Sequence, residues 1–355
     1  MDLLVALIAV SEKAANVARL IRQNGHLFDL LVQRKKTSES NPRFVDDFKT
    51  LADVLIQEMV KHDIGKQFPE LSDHINGEEN NVFKNKLGET IYVEIKPSEI
   101  ETSNLLETVL DGDQIAAALL SAEVHRQIML GEIGVTVPED FTVDMNELGI
   151  WIDPIDCTGE YVYGNLGECE RNIHLNGLKC VTILLGVFNR ITGVPVMGIV
   201  NRPFILPEET QFSQKCVWGV DLPNLKINSG LDQNSRQHLI CISGSEADPI
   251  KKRLREHGFN LIEASGAGYK ILTVILGLAD AYLLSKGTTF KWDTCAPHAI
   301  LKSLGGDIVD YKTTITTEEN GVVEYCTGGS SCNSSGIIAF RNSDILKEIV
   351  DILKL

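Results

Sequence analysis

The fold class that the sequence predicts is a layered mixture of helices and strands in two coupled halves, and three observations predict it. From Leu239 onward, strand-like and helix-like segments alternate, the pattern of a layered α/β unit. Cys180 to Phe188 and Val194 to Val200 are apolar strands joined by Asn189-Arg190-Ile191-Thr192-Gly193, a hairpin signature. The chain has 355 residues, too many for one simple core and suited to one large or two coupled domains. Asn201-Arg202-Pro203 breaks an apolar run and places the boundary just after it, dividing the chain into 1–204 and 205–355.

Taken in order, the elements begin with a helix. Leu3, Leu7, Val10, Ala14, Val17 and Ile21 continue one helical stripe through a run that lacks the basic start and small-residue cleavage pattern of a signal peptide. A polar loop, Lys35 to Arg43, is expected to be mobile. A second helix carries Leu51, Leu55, Ile56, Met59 and Val60, and Thr50 with Asp53 has capping-box spacing at its start. Asp53 is open to two readings, helix cap and catalytic group, which do not exclude each other. Ile91 to Ile95 reads as a strand, and Ser103 to Leu110 and Asp113 to Met129 as helices. Asp111-Gly112-Asp113 lacks the remaining calcium-loop ligands, so it reads as a turn and helix start. Residues 205 to 236 are polar and turn-rich, with Trp218 anchoring a strand. Beyond them come strand 239–243, helices 249–257 and 268–278, strand 281–285, helix 294–304, strand 307–311, a Gly/Ser/Thr-rich loop at 321–335, strand 336–340, and a last helix capped by Ser343.

Composition narrows the function. A formal charge of −16 argues against a general binder of nucleic-acid polymers or of anionic membranes. No apolar run reaches the roughly 18 to 20 residues of a membrane span. The eight cysteines show no paired metal-ligand spacing, and several sit in apolar runs; they read as reduced and intracellular.

The chemistry-bearing residues are acidic. Gly149-Ile-Trp-Ile-Asp153-Pro-Ile-Asp156-Cys-Thr158 is an apolar run that ends in two aspartates split by a proline, which forbids further strand pairing. It reads as a buried strand opening into an oxygen-ligand site for a cation such as Mg²⁺ or, equally in form, as an ordinary turn. Ile75-Asn-Gly77-Glu78-Glu79 repeats that logic, although a Glu-Glu pair is commonly a solvated surface pair. Asp293, in Phe290-Lys-Trp-Asp-Thr-Cys-Ala-Pro-His298, is either an N-cap or a metal ligand; His298 reads as packing rather than a ligand. Ser265-Gly-Ala-Gly-Tyr-Lys270 opens a helix whose free N–H groups favour an anion that Lys270 could also reach, or is only a flexible helix start. It matches neither the dinucleotide nor the P-loop pattern. Several carboxylates with no ligand cysteines and no required histidine describe a Mg²⁺ site of the kind used in phosphoryl transfer.

Two of these stretches, Trp151-Ile-Asp-Pro-Ile-Asp-Cys-Thr158 and Trp292-Asp-Thr-Cys-Ala-Pro-His-Ala-Ile-Leu301, with Gly77-Glu-Glu79 and Thr50-Leu-Ala-Asp53, resemble the lithium-sensitive, Mg²⁺-dependent phosphomonoesterases of the inositol monophosphatase family. Ser11 to Asn16, Asp47 to Val54, Gly266 to Lys270 and Gly277 to Asp280 are most similar to the branch that acts on inositol polyphosphates. The resemblance covers about residues 10 to 310 and implies a five-layer α-β-α-β-α sandwich with an α+β N-terminal half and an α/β C-terminal half. It assigns Glu78, Asp153 and the Ile155 carbonyl to a first Mg²⁺ and Asp153, Asp156 and Asp293 to a second. Glu79 becomes a neighbouring ligand or a carboxylate just behind the ligands, with two or three ions in all. Asp53 and Thr158 become the pair that takes a proton from the attacking water. Asp156, Cys157, Thr158, Ser245, Gly266, Ala267 and Lys270 become substrate contacts.

The expected activity is removal of the 1-phosphate from inositol 1,4-bisphosphate and inositol 1,3,4-trisphosphate. The alternative is 3′(2′),5′-bisphosphate nucleotidase activity on 3′-phosphoadenosine 5′-phosphate. Lithium inhibition, a cytoplasmic location and a monomer go with the same likeness. The sequence departs from the branch at Cys157, where a serine is expected, at Ala247, in place of a lysine, and in a short 311–335 segment. These departures bear on substrate preference rather than on the chemistry.

Overall fold

The computed structural model describes residues 3–23, 32–34, 48–84, 89–133, 137, 143–205, 214–231, 236–317 and 319–354. The loop expected at Lys35 to Arg43 lies outside them. Among the described residues, twelve strands form two six-stranded sheets. The first holds β1 (Ile75–Gly77), β2 (Leu148–Asp156), β3 (Thr182–Asn189), β4 (Pro195–Asn201), β5 (Cys216–Leu222) and β6 (Leu225–Asn228). They lie side by side in chain order; β1 and β2 are parallel and every other pair is antiparallel.

The second sheet holds β7 (Leu239–Ile242), β8 (Asn260–Glu263), β9 (Ala281–Leu284), β10 (Asp307–Asp310), β11 (Gly321–Val322) and β12 (Ile337–Phe340), in spatial order 8-7-9-12-10-11. Its first three strands are parallel and the rest antiparallel.

Helices complete five layers. Among the helices are α1 (Leu3–Gln23), α2 (Leu51–Gln67), α3 (Glu99–Val109), α4 (Gln114–His125), α5 (Thr158–Tyr163), α6 (Asp248–Glu256), α7 (Ala267–Ile275), α8 (Lys291–Ser303) and α9 (Ser343–Leu353). α1 and α2 cover one face of the first sheet, α7 and α8 fill the space between the sheets, and α6 and α9 cover the outer face of the second. This is the α-β-α-β-α sandwich.

The layering follows from the side-chain period of a strand. On β3, Ile183, Leu185 and Val187 enter the core shared with α1 and α2, while Leu184 enters the core shared with α7 and α8. A strand buried on both faces must be apolar at every position, which is why this one reads as an unbroken run. Each such side chain contributes about 1.5–3 kcal/mol on burial. α1 is likewise buried nearly all round, with Leu4, Ile8 and Ala15 inside as well as the expected stripe, so it is less amphipathic than the sequence suggests.

One close approach positions the site. A Cβ on Gly198 would lie 1.9 Å from the Ala296 carbonyl oxygen, and one on Gly186 2.5 Å from the Ala296 nitrogen. Glycine at these two central strand positions lets α8 lie directly on the first sheet, bringing Asp293 in its first turn to the end of β2.

The sheets divide later than the 204/205 boundary suggests. β5, which includes the anchoring Trp218, and β6 extend the first sheet, and the chain passes to the second between Asn228 and Leu239. Three further elements differ from expectation. Strand β8 and a short helix at Tyr311–Thr316 were not anticipated, and the 321–335 segment contributes strand β11. α9 is capped by the Asn342 side chain, which accepts from the Asp344 N–H, rather than by Ser343. Asp113 caps α4 as expected, by accepting from the Ala116 N–H at 3.0 Å.

Candidate active site

The site forms where the C-terminal ends of β1 and β2 meet the first turns of α7 and α8. Pro154 does not end β2, contrary to the sequence reading. The strand runs on to Asp156, with Asp153 opposite Leu184 and Asp156 opposite Thr182, and the register shifts in between. In a regular strand, residues three apart face opposite sides; the irregularity at Pro154-Ile155 brings both aspartates into one space. Asp293 joins them from α8, where its Oδ2 accepts from the Phe290 N–H at 2.6 Å. It caps the helix from its third position rather than as the N-cap residue, and it still faces the cluster. Asp153, Asp156 and Asp293 each offer an oxygen within 4.8 Å of the others, an arrangement that can hold a metal ion.

Electrostatics shows how crowded this space is. Asp153 is pushed well above the usual carboxylate range by burial and then by the charges of Glu78, Asp156, Asp293 and Asp53. Asp293 is raised by burial, then by Asp156 and Glu78. Asp156 is raised by burial despite Lys270 and three hydrogen bonds: from the Thr182 hydroxyl at 3.0 Å and from the N–H groups of Ala267 and Tyr269 at 3.2 Å each. Burial, followed by the neighbouring Asp156, also raises the Cys157 thiol well above its ordinary value, so it is protonated and is no nucleophile.

These shifts give a pH dependence with a definite sign. The folded carboxyls keep protons that the unfolded chain releases above the ordinary value of 3.8, so the metal-free fold should lose stability as pH rises from there toward the raised folded values. A divalent cation held there would replace those protons. The increase in melting temperature on adding Mg²⁺ should therefore be larger at pH 8 than at pH 5 by scanning calorimetry; an equal increase at both would contradict it.

The structure gives the other expected site residues definite partners. Two of the first N–H groups of α7, those of Ala267 and Tyr269, donate to Asp156. Lys270 is fully buried, its ammonium donating to the carbonyls of Ala264 at 3.1 Å and Gly266 at 2.6 Å. Ala267 and Lys270 thereby hold the helix start against the Asp156 carboxylate, beside the place proposed for substrate. Thr158 opens α5 behind Cys157, which sits at φ 73° and ψ 44°, and its hydroxyl donates to the Ile155 carbonyl at 3.1 Å.

Asp53 caps α2, its Oδ2 accepting from the Thr50 N–H at 2.7 Å and the Thr50 hydroxyl at 2.6 Å, and its charge reaches Asp153. Ser245 lies exposed in the loop between β7 and α6, its hydroxyl 3.0 Å from that of Ser243. His298 is packing, as expected: it is buried between the Tyr325 hydroxyl and Asp307.

Glu78 follows β1 directly and donates its N–H to the Ile152 carbonyl at 3.2 Å. Glu79 has partners that the sequence reading did not single out. Its carboxylate lies 3.4 Å from the Lys49 ammonium, and its main chain is held by Gln57. Gln57 was findable, since it lies four residues after Asp53 on the same helical face.

A layered sandwich with a knot of buried and half-buried carboxylates at the meeting of a strand end and two helix starts defines the class, a fold with oxygen ligands placed so that they can hold a cation. Residues 4–343 match the model of the inositol monophosphatase family, and the chain belongs to that family. It is 39% identical to the inositol polyphosphate 1-phosphatase of Bos taurus, over 98% of this chain and 95% of the relative. It is 26% identical to the 3′(2′),5′-bisphosphate nucleotidase 1 of Rattus norvegicus, over 96% of this chain and 90% of that protein. A solved structure of a Thermotoga maritima IMPase shares the fold with a TM-score of 0.57 at 16% identity, over 99% of this chain and 97% of that one.

Proposed function

We propose that this chain is a Mg²⁺-dependent phosphatase that removes the 1-phosphate of inositol 1,4-bisphosphate and inositol 1,3,4-trisphosphate. The observation that carries the reading is the near-full-length similarity to inositol polyphosphate 1-phosphatase, joined to the buried aspartate cluster. The donor set fits Mg²⁺: several carboxylates are crowded together, buried or half-buried, with the protons of Asp153 and Asp293 held unusually tightly, and a hard cation would relieve that repulsion.

Glu78, Asp153, Asp156, Asp293 and the Ile155 carbonyl would hold two or three ions, with Glu79 beside them. Bound there, the ions would supply Lewis acidity and positive charge to a transferring phosphoryl group. The Thr158 hydroxyl orients the Ile155 carbonyl, and the N–H groups of Cys157 and Thr158 would meet the scissile phosphate. Asp53, oriented by Thr50, would take the proton of the attacking water. Ser245, Gly266, Ala267 and Lys270 remain the proposed contacts to the rest of the substrate. Lithium inhibition, a monomeric state and a cytoplasmic location belong to the same proposal. No helix among the described residues is long and apolar enough to cross a membrane.

The nucleotidase reading is the weaker, because that relative is much less similar. Side-by-side assays should give inositol 1,4-bisphosphate a kcat/KM at least about a hundredfold above that of 3′-phosphoadenosine 5′-phosphate. A reversed ratio would overturn the substrate assignment and leave the metal chemistry standing.

A further inference from the structure

We propose that Gln57, which is no metal ligand, is a positioning residue that aims the Glu78-Glu79 turn at the cation site. The inference rests on the reading of that site as a divalent-cation centre. Gln57 is fully buried on α2, and its carboxamide grips Glu79 from both sides. Its Nε2 donates to the Glu79 carbonyl at 2.5 Å, and its Oε1 accepts from the Glu79 N–H at 2.9 Å. The two bonds imitate a strand pairing and fix the plane of the backbone from which both glutamates project.

Two neighbours complete the device. A Cβ on Gly77 would lie 2.0 Å from the Gln57 Oε1, so glycine there is what admits the carboxamide. On the far side, the Lys49 ammonium donates to the Asn80 carbonyl at 2.7 Å and to its Oδ1 at 2.6 Å, and it lies 3.4 Å from the Glu79 carboxylate. The turn is thus clamped at Glu79 and at the residue after it.

The location explains why the clamp matters. Asp53 and Gln57 are four residues apart and share one face of α2. One rigid helix therefore carries the proposed base and holds the turn that presents Glu78, whose charge both Asp153 and Asp293 feel. A side chain that only filled space here could be any apolar residue of similar volume. A carboxamide with its donor and its acceptor both engaged by one residue's backbone sets direction as well.

The test is calorimetric titration of Mg²⁺ into the full chain, with no substrate present. Gln57→Leu keeps the volume and helix propensity and removes both hydrogen bonds. It should weaken Mg²⁺ binding about 10- to 100-fold, the range for groups that orient metal ligands. A role in stability alone would lower the melting temperature and leave the Mg²⁺ affinity of the folded protein unchanged. Should Gln57→Leu fail to fold, the pair Gln57→Ala with Gly77→Ala serves, because the new methyl occupies space that the carboxamide has left; the pair should bind Mg²⁺ as weakly. Affinity within about twofold of the natural protein in either folded variant would overturn the assignment. Failure of the natural chain to bind Mg²⁺ would instead bring down the metal reading and this inference together.

Discussion

Replacing Asp153 with asparagine should lower kcat/KM by about a thousandfold or more and raise the melting temperature of the metal-free protein. Asp153 is 1% exposed and is raised by burial and by four other carboxylates, so its ionised form is disfavoured in the bare fold. Asparagine has the same shape, can keep the acceptor oxygen that takes the Ile155 N–H at 3.1 Å, and brings no charge to repel its neighbours. The relief appears as stability. The cost falls on catalysis, because the residue at the centre of the cluster no longer offers a carboxylate to a cation. A loss of about a thousandfold corresponds to roughly 4 kcal/mol of transition-state stabilisation. Steady-state kinetics with scanning calorimetry in EDTA checks both halves. An Asp153→Asn protein that is fully active, or inactive but less stable than the natural chain without metal, would show that the cluster is structural.

Asp53→Asn separates the two roles that the sequence left open for this residue. The side chain caps α2 through Thr50, and the asparagine oxygen can go on accepting the Thr50 N–H, so the cap should survive with a loss of at most about 1 kcal/mol. A proton acceptor, by contrast, is removed outright. The expectation is a fall in kcat of about 10² to 10⁴ with KM nearly unchanged, the usual scale for a lost general base. Denaturant unfolding and saturation kinetics on the same preparation give the answer. Undiminished kcat with a small loss of stability would leave Asp53 as a cap alone.

Much of this site was legible because its carboxylates stand in short, strongly patterned stretches. Asp153 and Asp156 end an apolar run, Glu78 and Glu79 follow a short apolar element and a glycine, and Asp293 sits at a helix start; the structure brings Asp153, Asp156 and Asp293 together. The five layers were legible by family resemblance, and the apolar run of β3 agrees with a sheet covered on both faces.

Partners chosen by tertiary contact were hidden. The Lys270 ammonium meets the carbonyls of Ala264 and Gly266, and the N–H of Ala267 goes to Asp156. Nothing local announces that choice. Pro154 misled for the opposite reason: proline removes one ladder donor, but an irregular register absorbs the loss and lets the strand continue to Asp156. Helical spacing puts Gln57 on the face of Asp53, but what Gln57 and Lys49 hold was invisible, because that turn lies more than twenty residues away in the chain.

The claim on which everything else depends is that Asp153, Asp156 and Asp293 hold divalent cations. Crystals grown with Mn²⁺, which takes the same oxygen ligands as Mg²⁺ and scatters anomalously, test it directly. The anomalous difference map should show strong density among these three carboxylates and toward Glu78, and none of comparable height elsewhere on the chain. A map with no density there, from crystals saturated with Mn²⁺, would contradict the account at its root.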